Sequence, residues 1–439
     1  MSKFQVIVLF LFIIAAIAGL ATFATYKGSG SKNQLPSITI WGTFPANVFN
    51  QYLGEINLTS ATPLRITYTE YKPEAFSQAF VNALALGQGP DVVLLPTDAL
   101  LPQLNKLAYI PYTVLPKKDF YNNYIDEARI YLTDNGALAV PFTVDPMVMY
   151  WNRDIFNSAG LAKYPTTWEE FVGSNLKPGL VQKLTSKDQN GNIRKSAVAL
   201  GDFANITNAR EILGSLLLQI GNPVTGLSRE GYITSAIDPY SSSKPVYAFS
   251  FFSQFANPTN LNYSWNRGLP NDKTSFLAGN LATYFGFASE VYDLRNKNSN
   301  LNFDIAPLPQ FAMGGERGGI KSLYAKMYGF SLVRNSTKLD GSYAIISVLT
   351  NSTNLTKLSE KIYNTSVLRD VIASGSTDPY IDIFNKSALI SKTWLDVDPK
   401  QSNKIFADLI QNIISGKRTV DQAVKDAHDV YDVTLKQVQ

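Results

Sequence analysis

The spacing of hydrophobic positions along this chain switches between the period of a strand and the period of a helix. Ser37–Trp41 alternates apolar and polar side chains, as a half-buried strand does, and Gly42-Thr43 ends it. Phe44–Leu53 predicts a helix and Leu64–Thr69 a second strand. Pro73–Leu86 predicts another helix, with Phe76, Phe80 and Leu84 on one face, stopped by Gly87-Gln88-Gly89-Pro90. Asp91–Leu95 then reads as a buried strand. Such alternation argues for a parallel sheet flanked by helices, with ligands beyond the carboxyl ends of its strands. Trp41-Gly42-Thr43 and Pro96-Thr97-Asp98 therefore belong on neighbouring loops at one rim.

Two apolar runs, Ala137–Phe142 and Met147–Trp151, flank Thr143-Val144-Asp145-Pro146. Proline denies a ladder donor and holds Asp145 extended, which predicts a strand that ends, crosses over and resumes in a neighbouring sheet. Asn152-Arg153-Asp154 opens a helix, and Thr167 with Glu170 forms a capping box. A second block of the same class follows. Ala197–Leu200, Leu281–Phe285, Phe303–Pro309 and Met327–Val333 read as strands; Asn208–Ile220, Ser243–Phe255, Thr274–Gly279, Tyr343–Thr350, Asn354–Tyr363 and Val367–Ala373 read as helices. Glycines at 314–319 mark a loop. A last helix follows the capping box of Thr419 and Gln422, with Val420, Val424, Ala427, Tyr431 and Leu435 on its apolar stripe.

The N-terminus differs in kind. Phe4–Tyr26 is almost wholly apolar between Lys3 and Lys27, and its length suffices to span a bilayer core, which takes about 20 residues. The only Ala-x-Ala match, Ala16-Ile17-Ala18, lies inside the run. An uncleaved anchor is the expectation, with a cleaved signal as the alternative. Gly28–Asn33, GSGSKN, reads as a flexible tether. With 39 basic and 35 acidic residues and no block of like charge, the chain carries no nucleic-acid footprint. The absence of cysteine removes disulfides and thiolate chemistry.

Several ordered blocks resemble one family. Pro141…Asp145…Trp151-Asn152-Arg153-Asp154, followed by Pro165–Phe171, looks like the interdomain crossing of extracellular solute-binding proteins of family 1, which serve sugar ABC importers. Gly87–Val92, Phe276–Ala282 with Phe285-Gly286, Ile305–Pro309, and Ser415-Gly416 with Thr419…Gln422-Ala423 are similar to further blocks of that family, in order, across residues 37–438. The resemblance implies an α/β, two-lobed periplasmic-binding-protein-like fold of type II, with a ligand cleft between lobes. It implies three crossings, near residues 143, 326 and 378. Residues 37–142 and 327–378 would form one lobe, 143–326 and 379–439 the other, after an anchor or signal at 1–27 and a tether at 28–36. It further implies a monomer that binds a carbohydrate, closes on it by a hinge, and docks on importer permease subunits at the membrane. Many relatives are held by a lipidated cysteine, which a protein anchor would replace here.

Candidate chemistry is sparse. His428, the single histidine, sits at the polar edge of the last helix and reads as a surface or half-buried residue. No histidine metal cluster, G-x-S-x-G, P-loop or post-strand G-x-G-x-x-G occurs, so no metal, cofactor or catalytic residue is assigned. Carboxylates remain: Asp98, Asp145 and Asp202 fall at predicted strand ends, where they accept hydrogen bonds from sugar hydroxyls or cap helices. Sugar faces stack on aromatic rings, and Trp41, Phe44, Phe203, Trp265, Phe285, Phe287, Tyr324 and Tyr328 occupy loop or strand-end positions. The candidate ligand-binding set is Trp41, Thr43, Phe44, Asp98, Asp145, Phe203, Asn205, Trp265, Phe285 and Tyr328, suited to a neutral saccharide. Asn208 is a weaker candidate, and Arg267 is the lone candidate for an anion. Two rivals stay open: an anchored glycoside-active enzyme using Asp98 and Asp145, and a non-transport sugar sensor or adhesin.

Overall fold

A computed structural model describes residues 35–439, apart from 61–62, 175, 242–243, 313–319 and 363. The predicted anchor Phe4–Tyr26, the tether Gly28–Asn33 and the glycine loop lie outside the described residues. Among the described residues, no helix is long and apolar enough to cross a membrane.

The first strand–helix repeats fold as their pattern dictates. Strands β1 (Ile38–Gly42), β2 (Ile66–Glu70) and β3 (Val92–Pro96) pair in parallel, with β1 in the middle. Helices α1 (Ala46–Thr59) and α2 (Pro73–Ala85) make the crossovers. β1 buries alternate residues, whereas β3, nearer the centre of the sheet, is buried along its whole length.

β4 (Val140–Asn152) is a single strand of 13 buried residues, which corrects the predicted break at Pro146. Its first half pairs antiparallel with β8 (Leu323–Val333), from Val140 opposite Phe330 to Pro146 opposite Ala325. Its second half pairs with β6 (Leu281–Phe287), starting at Met147 opposite Phe287, and with β7 (Phe303–Pro307) on the other edge. Pro146 therefore stands where the strand changes partners, and its missing N–H falls at the junction of two ladders. One curled sheet results, in the order β2–β1–β3–β8–β4–β6–β5, where β5 is Ile193–Val198. The two ends of that sheet are the cores of two lobes, with helices around each.

The second lobe is completed by α3 (Ala209–Gln219) and by the C-terminal part of the chain. β9 (Thr365–Ser366) pairs with Val144 and Thr143 in the first-lobe half of β4, β10 (Ser391–Lys392) adds to the start of β8, and α4 (Pro379–Leu389) lies between them. α5 (Pro399–Ile414) and α6 (Val420–Gln437) pack on each other, and α5 also touches α2 of the first lobe. The Thr419 capping box opens α6, whereas the Thr167 box caps only a short 3-10 turn, Trp168–Glu170.

Candidate functional site

The carboxyl ends of β1 and β3 reach an interlobe cleft of about 350 Å³. Thr43 follows β1, Pro96 ends β3, and Asp98 and Ala99 follow it; Pro73, Phe76 and Ser77 come from the start of α2. The opposite wall is Thr207, Asn208, Arg210 and Glu211 at the start of α3, with Asp398, Pro399 and Asn403 at the start of α5. Lys326 and Tyr328 of β8 close the floor. Gly42 has a local reason to be glycine: a Cβ there would strike the Leu94 carbonyl, so β1 could not carry Thr43 so close to β3.

Arg210 organises the charge. It is 2% exposed, and one Nη2 reaches Asp98 Oδ2 at 2.6 Å and Glu211 Oε1 at 2.8 Å, while Nη1 reaches Asp396 Oδ2 at 3.1 Å. Burial alone would lower its pKa, but Glu211, Asp98, Tyr324 and Asp396 hold it well above the ordinary value. Tyr324 donates to Asp98, and Tyr431 and Trp394 donate to Asp396. Burial raises the Asp396 pKa against the pull of Arg210. Asp98 comes from one side of the cleft floor, and Arg210, Tyr324 and Asp396 from the other, where Tyr324 packs on Phe287 and Trp394 and its amide donates to Ser215 of α3, so the network ties the two walls together.

Of the sequence candidates, the structure brings Thr43, Asp98 and Tyr328 to this cleft. Trp41 stands one layer back: it packs on Tyr71 at 4.8 Å, and Tyr71 on the cleft residue Phe76 at 6.1 Å. Phe44 is buried edge-on between Phe142 and Tyr328. Asp145 faces the lobe crossing, where the Ser289 amide and hydroxyl donate to it at 3.0 and 2.6 Å. Burial pushes its pKa up to about 6, against those bonds and the nearby Lys326. Trp265 and Asn205 bond to each other at 2.9 Å, and the Asn205 amide reaches the Asn266 and Leu269 carbonyls. They knit two loops together, and Trp265 lines a separate hollow with Leu269 and Pro270. Phe285 is core, edge-on to Trp168 at 5.1 Å, and Phe203 is half-buried outside the cleft lining.

Among the weaker candidates, Asn208 does line the cleft and bonds to Glu290 and the Phe285 carbonyl. Arg267 is paired with Asp202 at 3.1 Å. His428 meets Ser235 on the outer face of α6. Sequence reasoning missed Phe76, Arg210, Glu211, Lys326 and Asp398. Arg210-Glu211 did carry a signal, since two charges stand inside the otherwise apolar helix Ala209–Gln219. Among the described residues, no His/Cys/Asp/Glu group could hold a metal ion.

Residues 57–385 match the family described as bacterial extracellular solute-binding protein. No curated protein matches the sequence closely. Solved structures share the fold at low identity. The cyclic alpha-maltosyl-1,6-maltose binding protein from Arthrobacter globiformis is 16% identical with a TM-score of 0.70, over 92% of this chain and 100% of that one. An ABC transporter solute-binding protein from Thermotoga lettingae, bound with alpha-D-tagatose, is 15% identical with a TM-score of 0.67, over 91% and 99%. The maltose/maltodextrin-binding domain from Bdellovibrio bacteriovorus, bound to maltotriose, is 16% identical with a TM-score of 0.65, over 92% and 99%.

Proposed function

The chain belongs to the bacterial extracellular solute-binding proteins, and on that premise we propose that it binds a carbohydrate between its lobes and delivers it to the permease subunits of an ABC importer. The observation that carries this reading is the cleft itself. It combines two rings, Phe76 and Tyr328, with hydrogen-bonding groups from both walls, among them Thr43, Ser77, Asp98, Asn208, Glu211 and Asn403. Rings suit the flat faces of a sugar, and the polar groups suit its hydroxyls. A ligand that touches both walls favours the closed state by its differential affinity, and hinge bending follows.

In this reading the lobes meet near residues 143, 326 and 378, and the protein acts as a monomer outside the cytoplasm, tethered by a retained apolar segment at Phe4–Tyr26. Asp98 and Asp145 act as acceptors and structural groups, not as an acid–base pair. Support comes from their surroundings: Asp98 is held by Arg210 and Tyr324, and Asp145 is held by Ser289 away from the cleft lining. The test is a thermal-shift screen of the full chain against mono- and oligosaccharides, followed by calorimetry. A ligand that binds only the folded state raises the melting temperature. A screen in which no saccharide does so removes the reading.

A further inference from the structure

Asp98, Glu211 and Asp396 surround the single guanidinium of Arg210, and among the described residues no other Lys or Arg is paired with any of the three. Negative charge is in excess there, in a place largely closed to water. Asp98 is 2% and Glu211 7% exposed. Each uses one oxygen, Oδ2 and Oε1 respectively, on Arg210. Among the described residues no donor reaches Asp98 Oδ1 or Glu211 Oε2, and both residues line the cleft. Asp396, by contrast, is satisfied at both oxygens by Arg210, Trp394, Tyr431 and its neighbour's amide. Asp398 adds a third cleft carboxylate on the same wall.

Resting on the carbohydrate reading above, we propose that the ligand is an amino sugar, whose protonated primary amine sits against the free oxygens of Asp98 and Glu211. A hydroxyl could satisfy one of those acceptors, but it would leave the excess charge uncompensated in a desolvated site. An ammonium satisfies both with its three donors and offsets one of the excess negative charges. Two cations reach this cleft, and with Asp98, Glu211, Asp396 and Asp398 counted the negative charge still exceeds them. Arg210 is committed to three acids. Lys326 stands opposite Asp145 in the strand pair, with its ammonium 4.1 Å from the centre of the Phe287 ring. An acidic sugar would face Asp98, Glu211 and Asp398, with Lys326 as the one cation of the cleft lining not held in an ion pair among the described residues.

Calorimetry on the full chain separates the possibilities. The probes are glucosamine, the β-1,4-linked glucosamine disaccharide, their N-acetylated forms, and maltose. N-acetylation keeps the skeleton and removes the charge. The amino form should bind at least about tenfold more tightly than its acetylated twin, the scale of one charge-assisted bond. Glu211→Gln should erase most of that preference, and Asp98→Asn the same, the readout being the ratio of amino-form to acetylated-form affinity within each variant. Glu211→Gln, which leaves the Asp98–Arg210 pair intact, keeps the test valid if Asp98→Asn fails to fold. Neutral probes that bind as well as the amines, or variants that leave the preference unchanged, overturn the inference and leave the carbohydrate reading standing. If no probe binds, and none in the wider saccharide screen, both fall.

Discussion

Asp98 and Arg210 lie 112 residues apart in sequence and meet at 2.6 Å on the cleft floor, both almost fully buried. One follows β3, the other opens α3, so a single ion pair spans the two walls that a ligand must also span. Its energetic weight depends on what surrounds it. A buried pair repays its desolvation only when the remaining lone pairs and protons are also satisfied. Tyr324, Tyr431 and Trp394 supply much of that here.

Removing the cation should be costly. Arg210→Met leaves three buried carboxylates without a counter-charge, and the expected loss is about 3–5 kcal/mol, read as a lower urea midpoint with an unchanged slope. The double variant Asp98→Asn, Arg210→Met should recover part of it. A single variant within about 0.5 kcal/mol of the parent would show that the network does not hold the fold.

Asp145 should make stability fall as pH rises. Its folded pKa of about 6 lies above the ordinary aspartate value of 3.8. Below pH 4 the carboxyl is protonated in both states and neither is favoured. Between pH 4 and 6 the unfolded chain ionises first, so folding loses free energy, by about 3 kcal/mol once pH exceeds 6. Asp145→Asn cannot ionise, so its stability relative to the parent should improve from pH 4 to pH 7. Asp272, also raised to about 6 by burial, provides a second site for the same comparison. Parallel curves for parent and variant across that range would refute the assignment.

Two aromatic substitutions should separate ligand contact from scaffold. Tyr328→Ala, at the half-buried ring of the cleft floor, is expected to weaken saccharide binding by about 1–3 kcal/mol through lost ring contact. Trp265→Ala is expected instead to lower stability by about 3–5 kcal/mol, as large-to-small core changes do. The affinity of the molecules that remain folded should then be unchanged in calorimetry. The opposite pattern would move the binding site to the Trp265 hollow.

The protein should turn nothing over. A carboxylate pair acting on a glycosidic bond must flank it, yet Asp145 faces Ser289 at the crossing and lies outside the cleft lining. Incubating any bound oligosaccharide with excess protein should return it intact by chromatography. Cleavage abolished in Asp98→Asn would make the protein an enzyme.

What the sequence disclosed follows the range of the interactions involved. The strand–helix alternation before Pro96 and the Thr419 cap are local patterns, and they were legible. α5 carries local marks too, with Asp398 as cap, Pro399 in the first turn, and Ile405, Phe406, Leu409 and Ile410 at helical spacing. The role of Arg210 was not legible, because its partners lie 112 and 186 residues away. Trp265 shows the opposite failure: a loop tryptophan between polar neighbours looks alike whether it meets a sugar or Asn205.

β4 has a consequence for the growing polypeptide. Asn152 leaves the ribosome long before β6, β7 and β8, whose ranges run from Leu281 to Val333, exist to pair with it. Until then the nascent protein exposes a run of 13 mostly apolar, strand-forming residues with both edges open, the kind of segment that recruits other chains into intermolecular sheet. Pro141 and Pro146 interrupt its row of donors. They are tolerated in the finished ladder and obstruct illegitimate pairing while synthesis continues. Replacing them with valine would leave the folded sheet room to form and make the newly made chain more prone to precipitate.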